Sequence, residues 1–296
     1  MSMRVTLLGT GDTTGTPTVG CDCATCVAAR ARGIERSRFS VHIENERTDE
    51  SILIDLSPDF RQQFLSQAVP LPDAAVVTHI HFDHLDGLGN AYRVFDELPV
   101  YAANEVDPKT GESVAETIRR KYEYLDRVSV FDVTPLASVE ICGLELTLVP
   151  VEHPPLLCFG LVVVDPETGA QLSLSGDTSY DIPADSREQL SDPDLFLADA
   201  IVSAALCDHH PLGGSHHDAD GVPRSFGTKH MTREGALALA DELEADVTRL
   251  VHTAHYYPAD EAFEEPLAVD GEQYRLDGTG VTRLDTATTE SGATTE

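Results

Sequence analysis

The feature that most restricts this chain is the segment HIHFDH at positions 79 to 84, which follows the apolar run AAVVT and precedes Gly87 and Gly89. Three imidazoles and a carboxylate crowded at a strand end are the donor set of a cation site. Side chains two apart on a strand point the same way, so His79 and His81 can share one cation. Asp83 and His84, on the turn that follows, can reach a second.

Short apolar or alternating segments recur along the chain and read as strands: Arg4 to Leu8, Phe39 to Ile43, Ser51 to Leu56, Ala75 to Thr78, Val100 to Ala102, Leu144 to Val151, Phe159 to Val164 and Gln171 to Ser175. Helical patterns run over Asp59 to Gln67, Ser113 to Tyr122 and Thr232 to Ala245, the last with Thr232 as N-cap. Many strands with few helices between them predict packed sheets covered by helices, a mixed α/β architecture in one domain over residues 1–285. From Cys207 to Lys229 the chain reads CDHHPLGGSHHDADGVPRSFGTK, without periodicity, and a long loop is expected over 207–229. His209, His210, His216 and His217 in that stretch receive no role. The tail 286–296, TATTESGATTE, is low in apolar residues and is expected to be disordered.

Charge narrows the partners. With 51 acidic against 20 basic side chains the net charge is −31, and only Lys109, Lys121 and Lys229 are lysines. No basic stripe is present for non-specific nucleic-acid binding. A charge this far from zero repels itself unless salt screens it, which fits a protein working in molar salt. A small anionic substrate is still compatible, because bound cations reverse the field inside a pocket. No apolar run reaches the ~18 residues of a membrane span, and the start lacks the apolar stretch of a secretory signal, so a cytoplasmic location is expected. A homodimer is compatible with the sequence. Cys21, Cys23 and Cys26 fall within six residues and read as metal ligands rather than a disulfide framework, whereas Cys142, Cys158 and Cys207 read as isolated core thiols.

HxHxDH after a strand resembles the metallo-β-lactamase superfamily, and the rest of the chain follows that family's order. A later lone histidine is supplied by His153 in LVPVEHPP, an aspartate in a Gly-Asp-Thr turn by Asp177, and a terminal histidine by His252 in RLVHTAH. The resemblance implies a four-layer αββα sandwich with two divalent metal ions: His79, His81 and His153 on one, Asp83, His84 and His252 on the other, and Asp177 bridging. It also implies that Asp55, in SILIDLSP, accepts from a ligand imidazole. Zinc, manganese and iron all suit these donors. Two such ions can hold a hydroxide at neutral pH as the nucleophile.

Within the superfamily, LLGTGDTTGTPTVGCDCATC at positions 7 to 26 is similar to the phosphoribosyl cyclic phosphate phosphodiesterases, the PhnP-like branch. That similarity implies a separate structural zinc held by Cys21, Cys23, Cys26 and His255. It implies further that His230 in GTKHMT is catalytic beside Asp83, acting as a proton donor or phosphate holder. Gly9, Gly11 and Gly15 lack the Gly-Lys-Ser/Thr of a phosphate-binding loop and are expected to form tight turns. The function so implied is hydrolysis of a small phosphate diester such as 5-phosphoribosyl 1,2-cyclic phosphate. Its rivals are a cyclic-nucleotide diesterase, RNA 3′-end processing of the tRNase Z kind and a non-catalytic accessory resembling the pyrroloquinoline quinone accessory protein. The RNA rival lacks support because no basic arm is present and the chain reads TAHYYP after the last ligand. The accessory rival is disfavoured because the seven metal ligands are all in place.

Overall fold

The computed structural model describes residues 2–284, so the tail at 286–296 lies outside the described residues. Strands and helices are numbered in chain order. The first sheet runs β17 (Gly280–Leu284), β16 (Gln273–Asp277), β1 (Met3–Gly9), β2 (Ser40–Asn45), β3 (Glu50–Ile54), β4 (Ala74–Val77), β5 (Leu98–Ala103), β6 (Val128–Val133). The second runs β15 (Val247–Val251), β11 (Leu195–Asp199), β10 (Gln171–Leu174), β9 (Leu156–Val164), β8 (Leu144–His153), β7 (Val139–Ile141). A small third sheet joins β12 (Gly214–His217), β13 (Pro223–Phe226) and β14 (His230–Met231). The helices are α1 (Ala24–Arg32), α2 (Phe60–Gln67), α3 (Phe82–Leu85), α4 (Leu88–Ala91), α5 (Val114–Lys121), α6 (Ala184–Leu190), α7 (Ala204–Cys207) and α8 (Arg233–Glu242).

Alternation decides which face goes where. Leu146 and Leu148 of β8 join Leu161 and Leu172 in one continuous core with Leu7, Val41 and Val76 of the first sheet. Their neighbours Val149 and Val151 point the other way, into a second cluster with Leu190 of α6 and Leu239 of α8. Helices α2 and α5 pack on the first sheet, α6 and α8 on the second. The result is helix, sheet, sheet, helix, the expected four layers.

Two sets of parallel neighbours position the site. Strands β3 to β6 are parallel, and so are β10, β11 and β15. Ligand sites form beyond the carboxyl ends of such strands, where loops rather than strands continue the chain. Strand β4, AAVV, is buried at all four positions, as a strand covered on both faces must be, and delivers the chain directly to Thr78 and His79.

The helix ends follow local chemistry. The Thr232 side chain accepts from Gly235 N and starts α8, as expected from sequence. Ser113 and Glu116 form a capping box at α5. Two expectations are corrected. The stretch 207–229 is not a long loop: it carries β12 and β13, turned by Gly213 and Gly221 at positive φ, and packed through Phe226. Strands this short show no readable alternation. Of Gly9, Gly11 and Gly15 only Gly15 has a left-handed φ (67°). Gly9 and Gly11 are required by close approach instead, since a Cβ would lie 2.0 Å from Arg38 O and 2.8 Å from Arg36 O respectively.

Candidate metal centre

The strand ends bring the sequence-predicted ligands together. His79 and His81 follow β4, Asp83 and His84 lie on α3, His153 closes β8, Asp177 follows β10, and His252 follows β15. His81 Nδ1 lies 3.0 Å from His79 Nε2 and 3.2 Å from His153 Nε2. Ligands about 2.1 Å from a tetrahedral ion are spaced about 3.4 Å apart, so these three nitrogens converge as donors to one centre. The Asp177 carboxylate stands between the two groups: its Oδ2 is 3.8 Å from His79 Nε2 and 3.3 Å from both His84 Nε2 and His252 Nε2. Asp83 Oδ2 completes the second group, 3.7 Å from each of those two imidazole nitrogens. The donor atoms thus gather as His79, His81, His153 and Asp177 and as Asp83, His84 and His252, with a further grouping of Asp177, His230 and His252.

Orphaned atoms test the fit of a cation. His84 Nε2 and His252 Nε2 are buried without a hydrogen-bond partner, a costly state for a polar atom unless something else binds it. Burial, outweighing the nearby carboxylates, pushes the His153 imidazole down to about 3 and His79 well below its ordinary range. Neutral imidazole is the form that coordinates, and His153 and His79 are held in it; against burial, the carboxylate of Asp177 pushes His84 well up and His252 up to about 9. Burial alone would raise the Asp177 carboxyl, but the facing His252 and His84 imidazoles hold it well below the carboxylate range. The donor set, two imidazole-rich groups sharing one carboxylate, therefore fits two divalent cations.

A second set of residues aims the first. Asp55 accepts from Thr78 N and Thr78 Oγ1 at 2.8 Å each and from His84 Nδ1 at 2.6 Å. Thr78 Oγ1 lies 3.0 Å from His79 Nδ1, and His153 Nδ1 donates to Lys229 O at 2.9 Å. Each contact leaves Nε2 of the imidazole free to face inward. Asp55 and His252 both hold positive φ (59° and 54°) without being glycine, strain of about 1–3 kcal/mol each of the kind that gathers at functional sites. Gly176 (φ 63°) turns the chain into Asp177, and its missing Cβ would lie 2.5 Å from Phe159 O.

His230 lies beside the cluster, its ring nitrogen within reach of the donor atoms of Asp177 and His252. Its Nδ1 is 2.9 Å from Asp199 Oδ2 and its ring stacks on His252 at 5.1 Å. Asp199 was not singled out from sequence. It closes the apolar strand LFLAD and is buried, accepts from Thr178 N at 3.0 Å, and receives its own backbone support from Ser175. A carboxylate ending a wholly buried strand was the signal available.

Apart from this centre, Cys21, Cys23 and Cys26 each place Sγ 3.4 Å from His255 Nδ1. Sulfur at about 2.3 Å and nitrogen at about 2.0 Å from one tetrahedral ion would be about 3.5 Å apart, which fits zinc. Cys23 also N-caps α1. Thr253 N donates to Thr10 O, and Asp12 N to Thr253 O, so the same N-terminal loop grips the turn from His252 to His255. The other histidines stay apart from both clusters: the His210 ring meets Phe226 at a tilt of 60°, His216 Nδ1 contacts Ser225 Oγ at 2.7 Å, and His209 and His217 are exposed. Cys158 and Cys207 are buried as expected, while Cys142 is only partly so.

Comparison with known proteins bears on family and fold. The model of a beta-lactamase superfamily domain matches residues 50–253. A solved structure of a diphosphatase from the PhnP family is 26% identical, covers 94% of this chain and 99% of its own, and superposes with a TM-score of 0.72. Zinc-bound PqqB from Methylobacterium extorquens is 19% identical over 91% of this chain and 99% of its own, with a TM-score of 0.72. The short form of human tRNase Z is 18% identical over 91% and 98%, with a TM-score of 0.61; at such identities the likeness is one of fold. An octanoyltransferase of Porphyromonas gingivalis is 40% identical over 139 residues, 46% of this chain, which spans only 26% of that protein's length. Fold and family match agree: the chain belongs to the beta-lactamase superfamily, in its metallo-β-lactamase fold.

Proposed function

We propose that the protein is a metal-dependent phosphodiesterase acting on a small phosphate diester, with 5-phosphoribosyl 1,2-cyclic phosphate and its relatives as the candidate class. The observation that carries this reading is the Asp199–His230 pair set against the Asp177 cluster. Expulsion of an alkoxide from phosphorus calls for a proton at the leaving oxygen, and this pair is placed to supply one. His79, His81 and His153 would hold one cation and Asp83, His84 and His252 the other, with Asp177 between them, and such ions supply Lewis acidity and make water acidic enough to ionise near pH 7.

The chain's own groups do the rest. Asp55, Thr78 and the Lys229 carbonyl fix the imidazoles so that their orientation costs nothing at the moment of reaction. Asp199 accepts from Nδ1 of His230 and leaves Nε2 as the atom that delivers the proton to the departing oxygen. Cys21, Cys23, Cys26 and His255 would hold a structural zinc that ties the N-terminal loop to the turn carrying His252. Similarity to a PhnP-family diphosphatase over nearly the whole chain supports the phosphoryl chemistry.

The test is turnover of 5-phosphoribosyl 1,2-cyclic phosphate, 2′,3′-cyclic AMP and bis(4-nitrophenyl) phosphate by manganese- or zinc-loaded protein in molar potassium chloride, followed by phosphorus NMR or nitrophenolate release. Hydrolysis that chelator abolishes and metal restores is expected. Failure of metal-replete protein on all three overturns the reading in favour of a non-catalytic accessory.

A further inference from the structure

The ligand cluster opens to solvent at His81. His79, Asp83, His84, His153, Asp177 and His252 are all buried, and His81 alone among the seven is half-buried. A substrate whose reacting phosphate lies against Asp177 must therefore leave its remaining atoms on the His81 side.

Lys229 is fixed at that opening. Phe226 and His230 pair across β13 and β14. The turn between them, residues 227–229, is pinned by Gly227 N donating to Gly213 O at 3.0 Å and by Ser215 Oγ donating to Gly227 O at 2.9 Å. At the end of the turn the Lys229 carbonyl accepts from His153 Nδ1 at 2.9 Å, and His153 Nε2 lies 3.2 Å from His81 Nδ1. Two consecutive side chains then serve different sides of the cluster. His230 turns to Asp199 and His252. The charge of Lys229 reaches His81, whose imidazole is pushed down by burial and further by this ammonium.

The ammonium has no protein partner there. Lys121 is paired with Asp86, whereas the half-buried Lys229 has no carboxylate at ion-pair distance from Nζ among the described residues. That is notable in a chain with 51 acidic and 20 basic side chains. Left without an anion, a positive charge here opposes the cations that the cluster fits. A phosphomonoester would resolve the conflict, since it carries about −1.5 to −2 charge near pH 7 and three acceptor oxygens. A lysine ammonium, a point charge with three donors, matches such a group.

We propose that Lys229 Nζ holds a second phosphate of the substrate, on the part that does not react, so that the site selects phosphate diesters that also carry a phosphomonoester. The proposal rests on the diesterase reading and narrows its substrate class. The experiment compares 5-phosphoribosyl 1,2-cyclic phosphate with ribosyl 1,2-cyclic phosphate, which share the reacting ring. Salt weakens a partly exposed charge pair, so both are assayed at the lowest potassium chloride concentration that keeps wild type folded. Wild-type protein should favour the phosphorylated substrate by about tenfold or more in kcat/KM, carried by KM. Lys229→Gln should remove most of that preference and Lys229→Arg should keep it. Both substitutions retain the main-chain carbonyl on His153, and rates are taken per metal-loaded site. A preference absent from wild type, or one that survives in Lys229→Gln, overturns the proposal while leaving the diesterase reading intact. Equal loss on both substrates in Lys229→Gln also overturns it, by placing the ammonium on the reacting phosphate.

Because Lys109, Lys121 and Lys229 are the chain's lysines, reductive methylation with labelled formaldehyde gives an NMR readout independent of turnover. In zinc-loaded protein the Lys229 signal, identified by its absence from Lys229→Arg, should shift with ribose 5-phosphate and stay in place with ribose. The signals of Lys109 and Lys121 should not move with either. An unmoved Lys229 signal sinks the proposal. If no diester is cleaved, bis(4-nitrophenyl) phosphate included, the diesterase reading fails, and the NMR titration then decides the phosphate contact alone.

Discussion

Asp199 shows how much of a site can hide behind its ligands. HIHFDH declares itself because six adjacent residues carry the pattern, and His153, Asp177 and His252 follow from the family's order. Asp199 is one carboxylate at the end of a buried strand, and only the folded chain sets it 2.9 Å from His230. If His230 delivers the proton, Asp199→Asn should lower kcat on a cyclic alkyl phosphate by about 10²–10⁴, the usual worth of general acid catalysis, with metal content unchanged. The loss should shrink sharply on bis(4-nitrophenyl) phosphate, whose leaving group needs no proton. A merely structural role for Asp199 would depress both substrates alike. Asp199→Asn combined with His230→Ala should cost little more than either alone, because the two act as one unit.

Elements were legible where they are long or strongly patterned and illegible where burial removes the pattern. The amphipathic α5 and Thr232-capped α8 could be read to within a few residues, as could β1, β8 and β9. Strand β11 is buried at every position and offers no alternation, and β12 to β14 are too short for any period to register. Turn geometry makes a prediction at this scale. Gly176→Ala would force a Cβ against Phe159 O and a residue with a side chain into φ 63°, so it should destabilise by about 1–3 kcal/mol and lower the affinity for metal by moving Asp177; thermal melts and metal titration check both. His42 on β2 tests the packing of α2 over the first sheet. Burial against the Phe64 edge pushes its imidazole down to about 4 despite the Pro70 carbonyl it contacts. The folded state therefore favours neutral His42, whose contribution is whole above about pH 6.5 and is lost as pH falls toward 4. The drop should be of the order of ~3 kcal/mol at most, and His42→Phe should remove it in urea melts taken at pH 7 and pH 4.5.

At the scale of the whole molecule, a chain of net charge −31 must stay folded and, on the diesterase reading, must also admit an anion. Bound cations would answer the second demand locally, since the field inside the Asp177 cluster would then be set by the ions rather than by the surface. The first depends on salt. Many of the ion pairs on the described surface are partly exposed, such as Arg30 with Asp22 and Arg32 with Glu264, and each such pair contributes about 0–1 kcal/mol. They cannot offset a charge excess spread along the chain. Screening can, because the Debye length shrinks from about 10 Å at 0.1 M to about 3 Å at 1 M. Stability should therefore rise steeply between 0.1 and 1 M potassium chloride, first through screening and then through strengthened burial. The Cys21, Cys23, Cys26 and His255 cluster separates that effect from metal. Cys23→Ser should release about one zinc and lower the melting temperature at every salt concentration, because a structural zinc contributes folding free energy directly. If the variant's deficit vanished at high salt, the cluster would be a surface feature rather than a bond between the N-terminal loop and the turn that carries His252. If it persisted undiminished, salt and zinc would be acting on different parts of the same fold: one on the repulsion of the surface, the other on the loop that holds the last ligand in place.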